Sequence, residues 1–297
     1  MNIFLQFFLG WFAHPIFRGD YPEVMRTTIR ERSLAAGLPK SRLPEFTPEE
    51  VQRINGTHDF FGLNHYCSVL AFHIDVGDAQ DYDSDRAAAV MADRTWLETG
   101  SNWLRITPFG FRKLLEFIKD EYGNPPIYVT ENGVSEKGAV DLNDVHRKYY
   151  YENYINQGLK ARVLDGADLR GYTAWSLMDN FEWAEGYAER FGLFFVNRSD
   201  PNLPRIPKMS ASRYTSIIKC NGFKDPALGP HECLTPDIEV AFLGRQLSAD
   251  DAEVSLYVLF GFLLASLIGI IIIAYGLLKT IKKLKKVSKE SFKMARM

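Results

Sequence analysis

With 297 residues, 46% of them hydrophobic and 24% charged, the chain has the composition of a folded globular protein with enough apolar material for a sizeable core, which excludes intrinsic disorder. Eight Lys/Arg against the single acid Glu290 give the segment Lys279 to Arg296 a net charge of +7, so the formal −2 of the whole, less that +7, leaves −9 for residues 1–278. A body that acidic offers no basic face to a phosphate backbone, and nucleic acid is excluded as a partner.

The N-terminal stretch MNIFLQFFLGWFAHP is apolar over residues 3–13 but has no basic flank and no small-residue cleavage site, so it makes a poor export signal. Residues 21–37 read as a helix with Pro22 in the first turn and Gly37 past the end. In LPEFTPEEVQRING, Thr47 is the expected N-cap, Pro48 takes the first helical position and Glu50 completes a capping box. DFFGLNHYCSVLAF, from Asp59, is apolar without alternation, as expected of a strand buried on both faces. An Asp-rich loop from Asp75 to Asp93 precedes a helix around residues 111–123. PPIYVTENG is a second short strand ending at Glu131 and Asn132; a long aromatic helix around Asn143 to Leu164 leads to a third, GYTAWSL, from Gly171. GLFFV at 192–196 suggests a hairpin strand, and KMSASRYTSIIK a closing helix.

Strands and helices that alternate in this way, with polar residues gathered where strands end, indicate an α/β fold built on a parallel sheet or barrel. In a (β/α)8, or TIM, barrel the chemistry sits at the C-terminal strand ends, where Asn64, Glu131 and the Asp179 to Trp183 cluster fall. Three such strands are present, where closure needs eight, and no internal repeat supplies the rest.

Beyond the body at 1–223, residues 224–253 are rich in Gly, Pro and Asp and read as a stalk. Cys220 and Cys233 bracket part of it and are expected to form a disulfide, leaving Cys67 as a buried thiol. Val254 to Leu278 runs 25 residues without a charge. At about 1.5 Å per residue it is longer than the roughly 30 Å that a bilayer core requires, so it is expected to be a single transmembrane helix in contact with lipid. Asp250, Asp251 and Glu253 lie before it and five lysines between Lys279 and Lys286 after it. That asymmetry places the tail, 279–297, in the cytoplasm and the body outside the cell or in the lumen, at the endoplasmic reticulum or plasma membrane. The sequons Asn55-Gly-Thr57 and Asn197-Arg-Ser199 agree with such a location, with Asn55 and Asn197 as candidate glycosylation sites.

Three segments carry candidate chemistry. Tyr128-Val-Thr-Glu131-Asn132-Gly133 puts a carboxylate at the end of an apolar strand, where a nucleophile can be held rigidly, although a Glu that only caps the next element fits equally well. Trp175-Ser-Leu-Met-Asp179-Asn-Phe-Glu182-Trp183 gathers two indoles and two carboxylates within nine residues. Indole faces pack on the C–H face of a sugar while carboxylates accept its hydroxyls; an aromatic core cluster is the alternative, but it leaves Asp179 and Glu182 unexplained. Asn64-His65-Tyr66 offers an amide and a phenol to orient a carboxylate, and is equally compatible with an ordinary strand end.

Taken in order, LGWFAHPIFRGDYP at 9–22, FFGLNHY at 60–66, TENG at 130–133 and WSLMDNFEWAEGY at 175–187 resemble glycoside hydrolase family 1, the β-glucosidase and lactase family. The resemblance covers residue 9 to about 223 and implies the C-terminal part of a TIM barrel, about strands 6–8. It implies a retaining β-glycosidase acting on β-glucosides or β-galactosides, with Glu131 as nucleophile and Tyr66 as its hydrogen-bond partner. Asn64 lies in the same polar layer, Trp175 forms the platform under the sugar, Glu182 and Trp183 hold its hydroxyls and Phe191 walls that subsite. The family's acid/base Glu lies in an Asn-Glu-Pro segment ahead of LGWF, and no Asn-Glu-Pro occurs in this sequence. The chain therefore meets the family pattern in its middle, as expected of a truncated isoform, an alternative start or an incomplete gene model, and it is expected to be inactive alone. A non-catalytic glycan- or partner-binding protein on the same fold is the competing reading. Six scattered histidines, with neither H-E-x-x-H nor C-x-x-C, support no metal site, and no cofactor motif is present.

Overall fold

Three parallel strands, Phe61–Asn64, Ile127–Glu131 and Leu169–Tyr172, form the sheet that organises the body, with Ile127–Glu131 in the middle. The computed structural model describes residues 2–223, all within one unit. The expected disulfide partner Cys233, stalk, membrane span and tail lie outside the described residues, among which no helix is long and apolar enough to cross a membrane. Cys220 is disulfide-bonded, and Cys67 is a free thiol, half-buried where burial was expected.

The expectation of strands buried on both faces needs correction. Along Phe61–Asn64 and Ile127–Glu131 burial alternates: Phe61, Leu63, Ile127 and Val129 are covered, while Gly62, Asn64, Tyr128 and Thr130 are exposed on the opposite face. The segment from Asp59 is not one strand either. It leaves the sheet after Asn64, and Leu70–His73 pairs antiparallel with Ala88–Met91, so the Asp-rich loop is the tip of a hairpin carrying the short helix Tyr82–Arg86. Buried Asp85 receives Arg32 at 3.1 Å and Arg42 at 2.6 Å and ties that tip to the body.

The covered face packs under the helices Pro108–Tyr122 and Val145–Val163, which also pack on each other. Phe111, Leu115, Ile118 and Tyr122 recur every three or four residues and are all buried, forming the inward stripe of the first helix. Each such side chain contributes about 1.5 to 3 kcal/mol relative to exposure. Gly123 ends this helix at φ 78°, a left-handed turn that glycine adopts without strain. The capping box is present as expected: the Glu50 amide donates to Thr47 Oγ1 at 3.2 Å, and the Thr47 amide to the Glu50 carboxylate at 2.8 Å. The expected hairpin near 192–196 is Phe194–Val196 paired with Arg205–Pro207, and the closing helix is Met209–Cys220. At the N-terminus, Trp11–Arg18 is helical, with Phe7 buried beneath it.

Candidate active site

Glu131 ends the middle strand and stands opposite Asn64 in register, so the two strand ends bring residues far apart in sequence to one place. The Tyr66 hydroxyl donates to Glu131 Oε2 at 2.6 Å. Burial first, then this bond and the charge of Glu131, push the Tyr66 phenol well above its ordinary pKa, so Tyr66 stays a protonated donor. The Asn64 amide does not share that role; its Oδ1 accepts from the Thr130 hydroxyl at 2.6 Å.

Main-chain contacts bring the third segment alongside. The Trp175 amide donates to the Asn132 carbonyl at 2.8 Å, and a Cβ added to Gly133 would lie 1.7 Å from the Trp175 carbonyl oxygen, so only glycine permits this approach. The Trp175–Ser176 peptide is cis. Glu182 is partly buried, with the Trp175 side chain close enough to favour its charged form. Burial, with the neighbouring carboxylates of Glu189 and Glu131, nevertheless raises its pKa. Three carboxylates thus act on one region. Trp183 stands 86% exposed at φ 43°, on a loop with exposed Phe181 and Tyr187. Phe191 is buried and meets the Tyr66 ring edge-on, with centroids 6.0 Å apart.

Two features escaped sequence reasoning. Trp103, 58% exposed, packs edge-on against the Tyr66 ring with centroids 5.7 Å apart. Its signal was a lone indole in an irregular stretch. Lys208, fully buried, donates to Glu136 at 2.7 Å and to Asp179 at 3.1 Å. With Arg147 on Asp144 and Arg190 on Glu136, three cations and three carboxylates pair behind the site, as buried charge requires. Burial acts to raise the Glu136 pKa, but Arg147, Lys208 and Arg190 together outweigh it and lower it. Asp179 also accepts the Gly192 amide at 2.9 Å, so the Trp175–Trp183 segment hangs from this network. Asn55 is exposed, and half-buried Asn197 accepts the Ser199 amide through Oδ1 at 3.1 Å. Among the described residues no group of three or more His, Cys, Asp or Glu is arranged to hold a metal.

The arrangement can do nucleophilic displacement at a saturated carbon: a rigid carboxylate for attack, a phenol to orient it, and indoles and carboxylates to hold a polyol. The sequence matches the model of glycosyl hydrolase family 1 over residues 1–223. Human lactase/phlorizin hydrolase is 57% identical over 94% of this chain and 15% of its own length. The strongest likeness expected is to a lactase-like protein; the human one is 46% identical over 75% of this chain and 40% of its own length, less similar than human lactase/phlorizin hydrolase. Among solved structures, aphid myrosinase gives a TM-score of 0.66 at 38% identity over 73% of this chain and 46% of that one. β-Glucosidase 2 from Trichoderma reesei, in complex with Tris, gives 0.66 at 40% identity over 75% and 48%. The chain thus spans less than half the length of each of these relatives.

Proposed function

Because this chain belongs to glycosyl hydrolase family 1, we propose that it carries the nucleophile and sugar-binding half of a retaining β-glycosidase site for β-glucosides or β-galactosides. The observation that carries this reading is Glu131 at the end of the middle strand with the Tyr66 hydroxyl 2.6 Å from its carboxylate. In such a reaction one carboxylate attacks the anomeric carbon, forming a glycosyl ester as the leaving oxygen takes a proton from a second carboxylic acid; water then releases the sugar. Tyr66 orients Glu131, Trp175 lies under the ring, Glu182 and Trp183 bind hydroxyls of the non-reducing sugar, and Phe191 backs Tyr66.

No Asn-Glu-Pro segment supplies the second carboxylic acid in this sequence. General acid assistance contributes about 10² to 10⁴-fold, so this chain alone hydrolyses substrates with poor leaving groups little or not at all. Labelling with 2-deoxy-2-fluoro-β-glucosyl fluoride, whose leaving group lessens the need for an acid, tests the reading. A glycosyl adduct on the Glu131 peptide, absent in Glu131→Gln, is expected; an adduct only on a longer protein that contains this chain would make the chain an inactive fragment of the enzyme, and an adduct on neither would overturn the reading in favour of a binding protein without chemistry.

We further propose that residues 254–278 anchor the body in a membrane with the tail in the cytoplasm. The uncharged length of that segment and the lysines after it support this. Glycan addition at Asn55 or Asn197 in microsomes, read as a mass shift lost on Asn→Gln, is the expected result; an unmodified chain accessible to protease from the cytoplasmic side would refute it.

A further inference from the structure

We propose that Tyr150 is a positioning residue for the Tyr66–Glu131 pair, its single hydroxyl joining the main chain of Tyr66 to the side chain that follows Glu131. Three tyrosines of the helix Val145–Val163, Tyr150, Tyr151 and Tyr154, are buried to within 1% and point their hydroxyls at the strand ends. The Tyr150 hydroxyl donates to the Tyr66 carbonyl at 2.8 Å and accepts from Asn132 Nδ2 at 2.9 Å. Asn132, fully buried, also donates to the His65 carbonyl at 2.5 Å and accepts the Tyr172 hydroxyl at 2.5 Å, so its amide has no freedom to turn. Tyr154 donates to the same Tyr66 carbonyl at 3.0 Å, and the Tyr150 and Tyr154 rings stack with centroids 4.0 Å apart.

Both lone pairs of the Tyr66 carbonyl are therefore taken from behind, which fixes the direction in which its side chain leaves the backbone. The Tyr66 hydroxyl reaches Glu131 from that fixed base, while Asn132, held by the same Tyr150 oxygen, fixes the base of Glu131. One hydroxyl thus references both partners of the 2.6 Å bond to a single point. Burial raises all three phenols, Tyr154 to about 12, so they remain protonated donors throughout the working range. Tyr151 serves the neighbouring segment in the same manner, donating to the Trp175 carbonyl at 3.0 Å. A merely space-filling role would use the rings and leave the hydroxyls without this common target.

The catalytic consequence rests on the reading of Glu131 as nucleophile; the positioning itself does not, and two readouts on the full chain separate them. The first is the carboxyl ¹³C resonance of Glu131 in chain labelled with δ-¹³C glutamate, assigned by its loss in Glu131→Gln. Tyr66→Phe moves it by removing the hydrogen bond. Tyr150→Phe is expected to move it in the same direction, and the double variant no further than Tyr66→Phe alone. A Tyr150→Phe resonance at the original position, or a double variant whose shifts add, overturns the proposal, as does a Tyr66→Phe resonance that stays put. Should Tyr150→Phe not fold, Tyr154→Phe removes the other donor to the same carbonyl and is judged by the same outcomes.

The second readout is fluorosugar labelling, where Tyr150→Phe is expected to lower the maximal rate about tenfold with its concentration dependence unchanged. A loss of apparent affinity with the maximal rate intact would mark a structural role and overturn the proposal. If no variant, nor the unaltered chain, forms an adduct while the resonance behaves as expected, the glycosidase reading fails and the positioning stands.

Discussion

The two halves of the site are held in different ways. The Glu131–Tyr66 half is fixed by hydrogen bonds to main-chain carbonyls from a helix packed directly behind it. The Glu182–Trp183 half rides on a loop whose outer aromatics are exposed and whose hold on the body runs through Asp179, Lys208 and Glu136. The reacting carboxylate is thereby rigid, whereas the recognition loop adds to main-chain bonds such as Asp179 amide to Phe194 carbonyl at 3.0 Å a buried charge network that carries its side-chain anchorage. Geometry for bond-making tolerates little error, while grip on a sugar is spread over several contacts.

The largest test of this contrast is Lys208→Met. It strips the buried Asp179 and Glu136 of their shared cation, and breaking such a network costs about 3 to 5 kcal/mol. A strongly lowered midpoint in thermal denaturation is expected; an unchanged midpoint would show that the loop's main-chain bonds hold it without the charge network. A smaller effect is expected from Trp183→Ala. With the side chain 86% exposed, stability stays within about 0.5 kcal/mol, while affinity for a non-reacting sugar measured by calorimetry falls. A collapse of stability instead would assign Trp183 to the core.

The smallest effect concerns pH. The Glu182 carboxyl has a folded-state pKa raised by burial and by Glu189 and Glu131, so the folded chain holds that proton more tightly than the unfolded one. Its contribution is full at acid pH and is lost as pH rises from the ordinary carboxylate range through the raised value. Glu182→Gln should therefore stabilise the chain slightly at neutral pH and make no difference at acid pH. A difference that grows on acidification would reverse the sign and refute the assignment.

What the sequence disclosed follows the range of the interactions. The Thr47–Glu50 capping box spans three residues, and both of its hydrogen bonds are where the pattern puts them. The first two strands were legible because each is a short apolar run ended by polar residues; the third is Leu169–Tyr172 rather than the run from Gly171, because it carries Arg170 and its apolar stretch continues past the end of the strand. The hairpin Leu70–His73 with Ala88–Met91 was not: its residues are largely exposed, so no alternation betrays it, and Asp residues at its tip imitate a loop. The Lys208–Glu136 pair joins positions 72 apart, and a lone lysine before a helix carries no mark of burial. The tyrosine helix was visible as an aromatic cluster, but its targets are carbonyl oxygens, which every residue has and no motif records.

Gly133 carries one more consequence. Its obstacle is the carbonyl oxygen of Trp175, a main-chain atom, rather than a side chain that a second mutation can trim. In a genetic screen, therefore, lesions at position 133 should lack intragenic suppressors, whereas lesions at Lys208, whose partners Glu136 and Asp179 meet it through their side chains, should yield them.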